Sequence, residues 1–237
     1  MSATVPGGLG RRVQFDERSR NFPSRALPAL GAARSPRSYT WRVGTWLDQG
    51  REGACVGYGF AHELAARPVV VPGVTNEVAR AIYHDAQRLD PWDGGAYEGA
   101  EPYYEGTSVL AGARALTRLG HYSEYRWAFG EEDLALAVGY HGPAVIGVDW
   151  YEGMYDATRE GGFLLRPTGR VVGGHCVLIY GLNLRGGYYR VWNSWGRSWG
   201  DDGTARITRE DMVRLLADDG EACVPVRRAR RAAVTSQ

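Results

Sequence analysis

The sequence predicts an α+β domain in which a helical half precedes a strand-rich half, with a cleft between the two lobes. Between residues 47 and 119 apolar residues recur at helical spacing, whereas from 143 to 226 they gather in short β-branched runs. A chain of 237 residues is long enough for one domain with two lobes and a substantial core. The expected organisation is a basic arm over 1–44, a helical lobe over about 45–125, a strand-rich lobe over about 126–226 and a basic tail over 227–237.

Residues 1–44 are rich in Gly, Pro, Ser and Arg and hold no apolar periodicity long enough for a helix. Eight arginines against Asp16 and Glu17 give the arm a net charge of +6. Two readings stand: a solvated extension that partly packs along the domain, as charge runs usually are, and an inhibitory arm lying in the cleft. Tyr39–Trp46 enters the first lobe as an extended segment. A glycine-punctuated loop then runs into a helix at Cys55, with Val56, Phe60 and Leu64 on one stripe and Arg67-Pro68 stopping the run. Gly57 and Gly59 each cost about 1 kcal/mol relative to Ala inside a helix, which predicts close approach of another layer. A second helix is expected from Asn76 to Leu89, with Asn76 as its cap, and a third over Ser108–Leu119, with Gly120 past its end. Glu131–Tyr140 reads as a short helix and Pro143–Asp149 as a buried strand. Strands follow at His175–Tyr180, Tyr188–Trp192 and Gly203–Thr208. A helix over Glu210–Ala217 and a closing strand over Ala222–Val226 complete the lobe.

Apolar residues make up 44% of the chain and charged residues 23%, the balance of an ordinary soluble protein. A net charge of +1 gives no global attraction to nucleic acid or membrane, and neither is expected as a partner. No apolar run approaches a membrane span or a signal peptide. Every basic residue is arginine, so no lysine is available for a phosphate-binding loop. His62, His84, His121 and His141 are scattered without ligand spacing, so neither metal nor cofactor is expected. Three cysteines make an odd number and no disulfide framework, which places the chain in a reducing compartment, the cytoplasm as first expectation.

The chemistry-bearing stretch is Gln49-Gly50-Arg51-Glu52-Gly53-Ala54-Cys55. A cysteine in the first turn of a helix sits beside free N–H groups and the positive end of the dipole, which favours the nucleophilic thiolate. The Gln49 side-chain amide and the Cys55 main-chain N–H could bind the oxyanion formed when a thiolate attacks an acyl carbon. Cys176 and Cys223 read as core thiols.

This stretch resembles the start motif of the papain-like cysteine peptidases, and two further motifs follow in the family's order. Gly173-Gly174-His175-Cys176 is similar to its histidine strand, and Asn193-Ser194-Trp195-Gly196 with Trp199-Gly200 to its asparagine loop. The resemblance spans about Trp46 to Val226. It implies a two-lobed fold with a helical lobe, an antiparallel β-sheet or barrel lobe and the active site between them. It implies a cysteine peptidase acting on peptide or protein substrates, of a bacterial or phage type without the family's long helical propeptide. Cys55 is then the nucleophile, His175 the proton carrier, Asn193 the residue orienting His175, and Gln49 part of the oxyanion site. Gly53, Gly106, Ser108, Gly174 and Trp195 would line the substrate groove, with Gly147 a further candidate. Gly106 would offer its backbone to an added peptide strand, and Trp195 would cover the His175–Asn193 hydrogen bond.

Several departures from the family pattern stand out. Val56 replaces the aromatic after the nucleophile, Gly174 the acidic residue before the histidine, and Glu52 a disulfide cysteine of secreted members. The alternatives to a peptidase are an amidase or acyltransferase on the same scaffold and a catalytically weak peptide-binding module.

Overall fold

The computed structural model describes residues 7–33 and 35–227. In chain order the elements are α1 (Pro28–Gly31), β1 (Tyr39–Thr40), α2 (Cys55–Leu64), α3 (Asn76–Gln87), α4 (Val109–Arg118), β2 (Tyr122–Trp127), α5 (Glu131–Tyr140), β3 (Ala144–Tyr151), β4 (Val171–Asn183), β5 (Tyr188–Trp192), β6 (Thr204–Thr208), α6 (Arg209–Ala217) and β7 (Glu221–Arg227). The strands form one antiparallel sheet in the order β2-β7-β3-β4-β5-β6. β1 pairs with β4 beyond the end of β3, through Thr40↔Gly181 and Tyr39↔Leu182. The architecture is α+β, with α2, α3 and α4 forming the helical lobe.

The long strand β4 is the wall shared by both lobes. Successive side chains of a strand point to opposite faces. Cys176 and Leu178 therefore enter the helical core with Val56, Phe60, Leu64, Ile82 and Leu116. Val177 and Ile179 enter the other core with Leu134, Ile146, Trp150, Val191 and Met212. Every residue of α2 is buried. A helix buried on all sides can be approached closely only where side chains are missing, and its two glycines supply that. A methyl on Gly57 would strike the Ala79 carbonyl and the Tyr83 Cβ of α3, and one on Gly59 would lie 2.9 Å from the Cys176 sulfur. The helix thus lies flush between α3 and β4, which holds its first residue, Cys55, at the lobe boundary. The buried Glu63 anchors the other end, its carboxylate accepting from the Tyr122 hydroxyl at 2.6 Å and from the Arg227 guanidinium at 3.2 Å.

Four expectations are corrected. The first concerns the arm, where residues 7–44 are woven into the domain rather than standing apart. Short helical turns occur over Glu17–Asn21, Ser24–Ala26 and Pro28–Gly31, and Leu27 and Leu30 are buried in the strand-side core. Part of its charge is paired in place: Arg18 with Asp16, Arg20 with Glu17, and Arg25 with Glu132 and Asp133. Second, Tyr122–Trp127, assigned mainly to the helical lobe, is a strand paired with β7. Its polar middle, Ser123–Arg126, masks the alternation expected of a sheet. Third, Arg227 ends β7 with its side chain buried against Glu63, so it belongs to the domain. Residues 228–237 lie outside the described residues. Fourth, the cap of α3 is Thr75, whose hydroxyl accepts from Val78 N–H. Asn76 instead accepts from the Asp48 N–H at 3.0 Å and ties down the loop before Cys55.

Candidate active site

Cys55 is the first residue of α2, and Ala54 before it offers no capping side chain. The helix's first N–H groups therefore remain available around the sulfur. The loop leading in is held from three directions. Gln49 N–H donates to the Ser194 carbonyl at 2.9 Å, Asp48 is held by Asn76, and Gly53 N–H donates to the Glu105 carboxylate at 3.0 Å. Main-chain amides of Cys176, Val56 and Arg11 surround the sulfur and favour its charge. The first of these belongs to the residue after His175, which brings strand β4 and the helix start together at one point.

His175 is fully buried, and its Nε2 lies 2.8 Å from the Asn193 Oδ1. The Ser194 main-chain N–H donates to the same Oδ1 at 2.8 Å. An oxygen that receives a main-chain N–H is an acceptor, so Nε2 carries the ring proton and Nδ1 the lone pair. Nδ1 has no hydrogen-bond partner. The ring is clamped between two indoles: Trp195 stacks on it at 4.7 Å between centroids, and Trp150 meets it edge-on at 4.7 Å. An imidazole so held cannot swing, and water is kept from its bond to Asn193.

Gln49 is also buried. Its Oε1 accepts from the Ser194 hydroxyl at 2.6 Å, which turns the amide NH₂ outward. Nε2 donates to the Glu52 carbonyl at 2.7 Å and, at 3.1 Å, to the carbonyl of Gly8. That second acceptor belongs to the arm, and Trp195 Nε1 donates to it as well, at 3.3 Å. The chain from Gly7 to Arg12 lies along the cleft in extended form. Gly8 N–H donates to Gly50 O at 2.9 Å, and Gly10 and Arg11 N–H both donate to Gly174 O at 3.0 Å. Thr107 donates to Gly10 O at 2.9 Å and accepts from Arg12 N–H at 2.8 Å. Residues 8–12 of the arm thus lie against Gln49, Gly50, Thr107, Gly174 and Trp195. The Arg12 guanidinium adds an anchor over the rings of Trp92 and Tyr104, at 4.3 and 4.7 Å.

The covered site is electrically quiet. Burial pushes the Cys55 thiol up to about 12, outweighing the surrounding amides and the Arg11 charge. Burial likewise pushes His175 down to about 4, against the opposing effect of its bond to Asn193. Burial thus opposes the thiolate expected at a helix start. Desolvation wins over the helix N-terminus because water is excluded from both partners at once.

The other residues expected in the groove divide. Gly174, Trp195 and Gly53 lie directly against the arm: Gly174 accepts its amides, and a methyl on Gly10 would overlap the Gly53 carbonyl. Ser108 caps α4 by accepting from Ala111 N–H and reaches the arm through the Gln14 side chain. Gly106 does not offer its backbone. Its N–H donates to the Tyr83 hydroxyl at 2.9 Å, and its carbonyl accepts from Gln87 at 3.1 Å. The strand-pairing role falls to Thr107, one residue later, because Gly106 at φ +92° turns its peptide groups inward.

Sequence reasoning missed Thr107, Trp150, the Ser194 side chain and Glu105. Ser194 stood inside the quoted asparagine motif, and Trp150 faces His175 from a strand paired with β4 in register, Trp150↔Gly173. Thr107 and Glu105 flank Gly106 in the stretch Tyr104–Ser108, which resembles the family's substrate wall, but neither was assigned a role.

A sequence profile described as "Papain family cysteine protease" matches residues 89–221, more than half of the chain. The matched segment holds His175 and Asn193. Among curated relatives, cathepsin B of Dictyostelium discoideum is 40% identical over 68 residues, 28% of this chain and 21% of that protein. Human cathepsin O is 34% identical over 102 residues, 41% of this chain and 30% of that protein. The aligned parts thus span less than a third of these relatives' length. The fold is similar to that of xylellain, a cysteine protease from Xylella fastidiosa, with a TM-score of 0.65 at 15% identity over 97% of this chain and 99% of that one. A cysteine protease of Carica candamarcensis gives a TM-score of 0.56 at 17% identity over 82% and 100%. A profile match over the greater part of the sequence and a shared fold converge, and the chain belongs to the papain family of cysteine proteases.

Proposed function

We propose that the chain is a peptidase that hydrolyses peptide bonds through a Cys55–His175–Asn193 triad and a thioester acyl-enzyme, with Met1–Gly44 as a built-in inhibitor. The observation that carries this reading is the Gly8 carbonyl. A stretch of peptide already has one carbonyl oxygen on the Gln49 amide, and the same oxygen accepts from the Trp195 indole N–H.

With the arm displaced, water returns to the site and Nδ1 of His175 takes the Cys55 proton, giving thiolate and imidazolium. The sulfur attacks the substrate carbonyl carbon, and the oxyanion is held by Gln49 Nε2 and the Cys55 N–H. Collapse expels the amine, which leaves with the imidazolium proton, and a thioester remains on Cys55. His175 then deprotonates a water that attacks the thioester, and the thiol is regenerated. Asn193 keeps the proton on Nε2 so that Nδ1 stays available throughout.

The test is hydrolysis of a fluorogenic peptide library by the full-length chain, alongside Cys55→Ala, His175→Ala and the arm variant Gly10→Ala. Turnover that is lost in the first two and raised in the third is the expected result. Hydrolysis surviving Cys55→Ala would overturn the mechanism.

A further inference from the structure

Two of the cysteines meet at the lobe boundary, and the chemistry above uses only one of them. Cys55 opens α2 and Cys176 follows His175 on β4. Both are free thiols, and both are buried in the helical core. The Cys176 main-chain amide donates toward the Cys55 sulfur, and a negative charge on Cys55 acts directly on the Cys176 thiol. The Cys176 sulfur itself rests on α2, where a methyl on Gly59 would lie 2.9 Å from it. Gly59 follows Cys55 by four residues, so the two share a helix face with Cβ positions about 5–6 Å apart. The bare glycine gives the Cys176 sulfur its seat, one turn along from the nucleophile. A disulfide needs Cα atoms about 4.4–6.8 Å apart, and an amide that donates to its partner's sulfur holds the two main chains at about that separation. Turning Cys176 about its Cα–Cβ bond, away from Gly59 and toward the helix start, brings the sulfurs together.

Cys223 has no such placement. It pairs with Val145 of β3, which in turn pairs with Leu178 of β4. Two strand spacings, roughly 10 Å, therefore separate its strand from β4. Its thiol feels the Glu63 charge, and Glu63 lies two turns along α2 from Cys55, about 12 Å away.

The two neighbouring thiols differ in reactivity. Burial holds Cys176 well above the ordinary thiol range, so it is a poor target for oxidants that act on thiolates. Cys55 becomes such a target once the arm is displaced and its proton passes to His175.

We propose that Cys176 is a resolving thiol, and that a peroxide reaching Cys55 in the open cleft is answered by a reversible Cys55–Cys176 disulfide. In the first step the Cys55 thiolate attacks hydrogen peroxide: an S–O bond forms, the O–O bond breaks and hydroxide leaves, so the sulfur is oxidised to a sulfenic acid. In the second the Cys176 sulfur attacks the Cys55 sulfur. An S–S bond forms, the S–O bond breaks, and the departing hydroxide takes the Cys176 proton as water. An external dithiol reverses the result by two thiol–disulfide exchanges, becoming a disulfide itself. Without a resolving thiol, the sulfenic acid takes up more oxygen and becomes an irreversible sulfinic acid. The inference rests on the peptidase reading for the reactive form of Cys55, and it regulates that same site.

The test exposes the full-length chain carrying Gly10→Ala, which loosens the arm, to hydrogen peroxide at neutral pH. Free thiols are then blocked and the peptides mapped without reduction. The expected product is a Cys55–Cys176 cross-linked pair, and dithiothreitol should restore iodoacetamide labelling at Cys55. Adding Cys176→Ala is expected to cut that recovery at least fivefold and leave Cys55 as sulfinic acid, whereas adding Cys223→Ala should leave recovery unchanged. Cys55 unmodified by peroxide, sulfinic acid without a cross-link, a cross-link to Cys223 in its place, or recovery in Cys176→Ala within twofold of its parent overturns the proposal. Where Cys176→Ala does not fold, the cross-link map of the parent decides alone. Hydrolysis of the fluorogenic peptide library before peroxide separates the two readings. A cross-link in a chain that cleaves no peptide counts against the peptidase and leaves the disulfide standing, and active chain that yields no cross-link does the reverse.

Discussion

Gly10→Ala is the sharpest lever on the arm. The Gly10 Cα faces the Gly53 main chain so closely that an added methyl overlaps the Gly53 carbonyl oxygen and its carbon. Neither side can yield cheaply, because Gly53 is tethered through its N–H to Glu105 and Gly10 is tethered on both sides. Relieving the overlap breaks the hydrogen bonds from Gly10 N–H to Gly174 O and from Thr107 N–H to Gly10 O. At about 0.5–1.5 kcal/mol net for each bond, the arm loses about 1–3 kcal/mol, roughly a 5- to 160-fold rise in the open population. Reactivity of the nucleophile should follow, because Cys55 is fully buried while the arm is docked. The assay is alkylation by iodoacetamide at neutral pH, read at Cys55 by peptide mapping, with buried Cys176 and Cys223 as internal controls. Val13→Ala serves as the outward-facing control, since Val13 is half exposed. Cys55 labelling in Gly10→Ala within twofold of wild type, in a protein of unchanged circular dichroism, would refute the argument that the arm gates the sulfur.

Falling pH should loosen the arm. His175 is held down to about 4 while covered, against about 6.5 in water, so the open state binds more protons between those values and gains on the closed state as pH falls through them. The limit is about 3 kcal/mol if release hydrates the ring fully, and protonation of Glu221 weakens its hold on Arg11 in the same direction. Hydrogen exchange of the Gly8–Arg12 amides, corrected for intrinsic rates and referenced to β4, should accelerate from pH 7.5 to 4.5; equal corrected rates would contradict it. Asn193→Ala removes the acceptor that fixes the ring proton on Nε2, and kcat should fall at least tenfold with little change in KM; unchanged kcat would show that the indoles alone hold the ring. Arg227→Ala leaves Glu63 buried with only the Tyr122 hydroxyl, and urea unfolding should report a loss of about 3–5 kcal/mol. A loss under 1 kcal/mol would mean that Glu63 is already neutral in the wild type.

Much of the architecture was legible because its cause is local. The stripe Val56, Phe60, Leu64 marks α2, and the unbroken apolar run from Ala144 to Val148 marks a strand buried on both faces. Thr208 and Ser108 cap their helices with hydroxyls, although the sequence reading placed Thr208 in a strand and Ser108 inside its helix. What was not legible depends on distant partners. β2 is half exposed and polar in its middle, and only β7, about a hundred residues later, makes it a strand. The choice between Gly106 and Thr107 as the peptide-pairing wall is made by Tyr83 and Gln87, which claim the Gly106 backbone from α3. Nor does a local pattern connect Arg11 to Glu221 across almost the whole chain.

The arm is the case in which composition alone left two readings open, for a physical reason. A run of arginine, glycine and proline has too little apolar surface to fold alone, which is why it reads as solvated. Here it need not fold alone, because its glycines admit it to a slot too narrow for side chains and its arginines meet carboxylates and aromatic rings already in place. The same fit governs the chemistry. Cys55 stands at a helix start and His175 has a bare Nδ1, and burial disfavours the charged form of each, raising the thiol's pKa and lowering the imidazole's. Water is the missing component, and on the proposed reading the arm helps the indoles to exclude it. Any process that lifts six residues, Gly7 to Arg12, both opens the groove and restores the dielectric in which thiolate and imidazolium can coexist. Access and activation are then one event, and a variant that opened the groove without changing the titration of Cys55 would separate them and defeat the account.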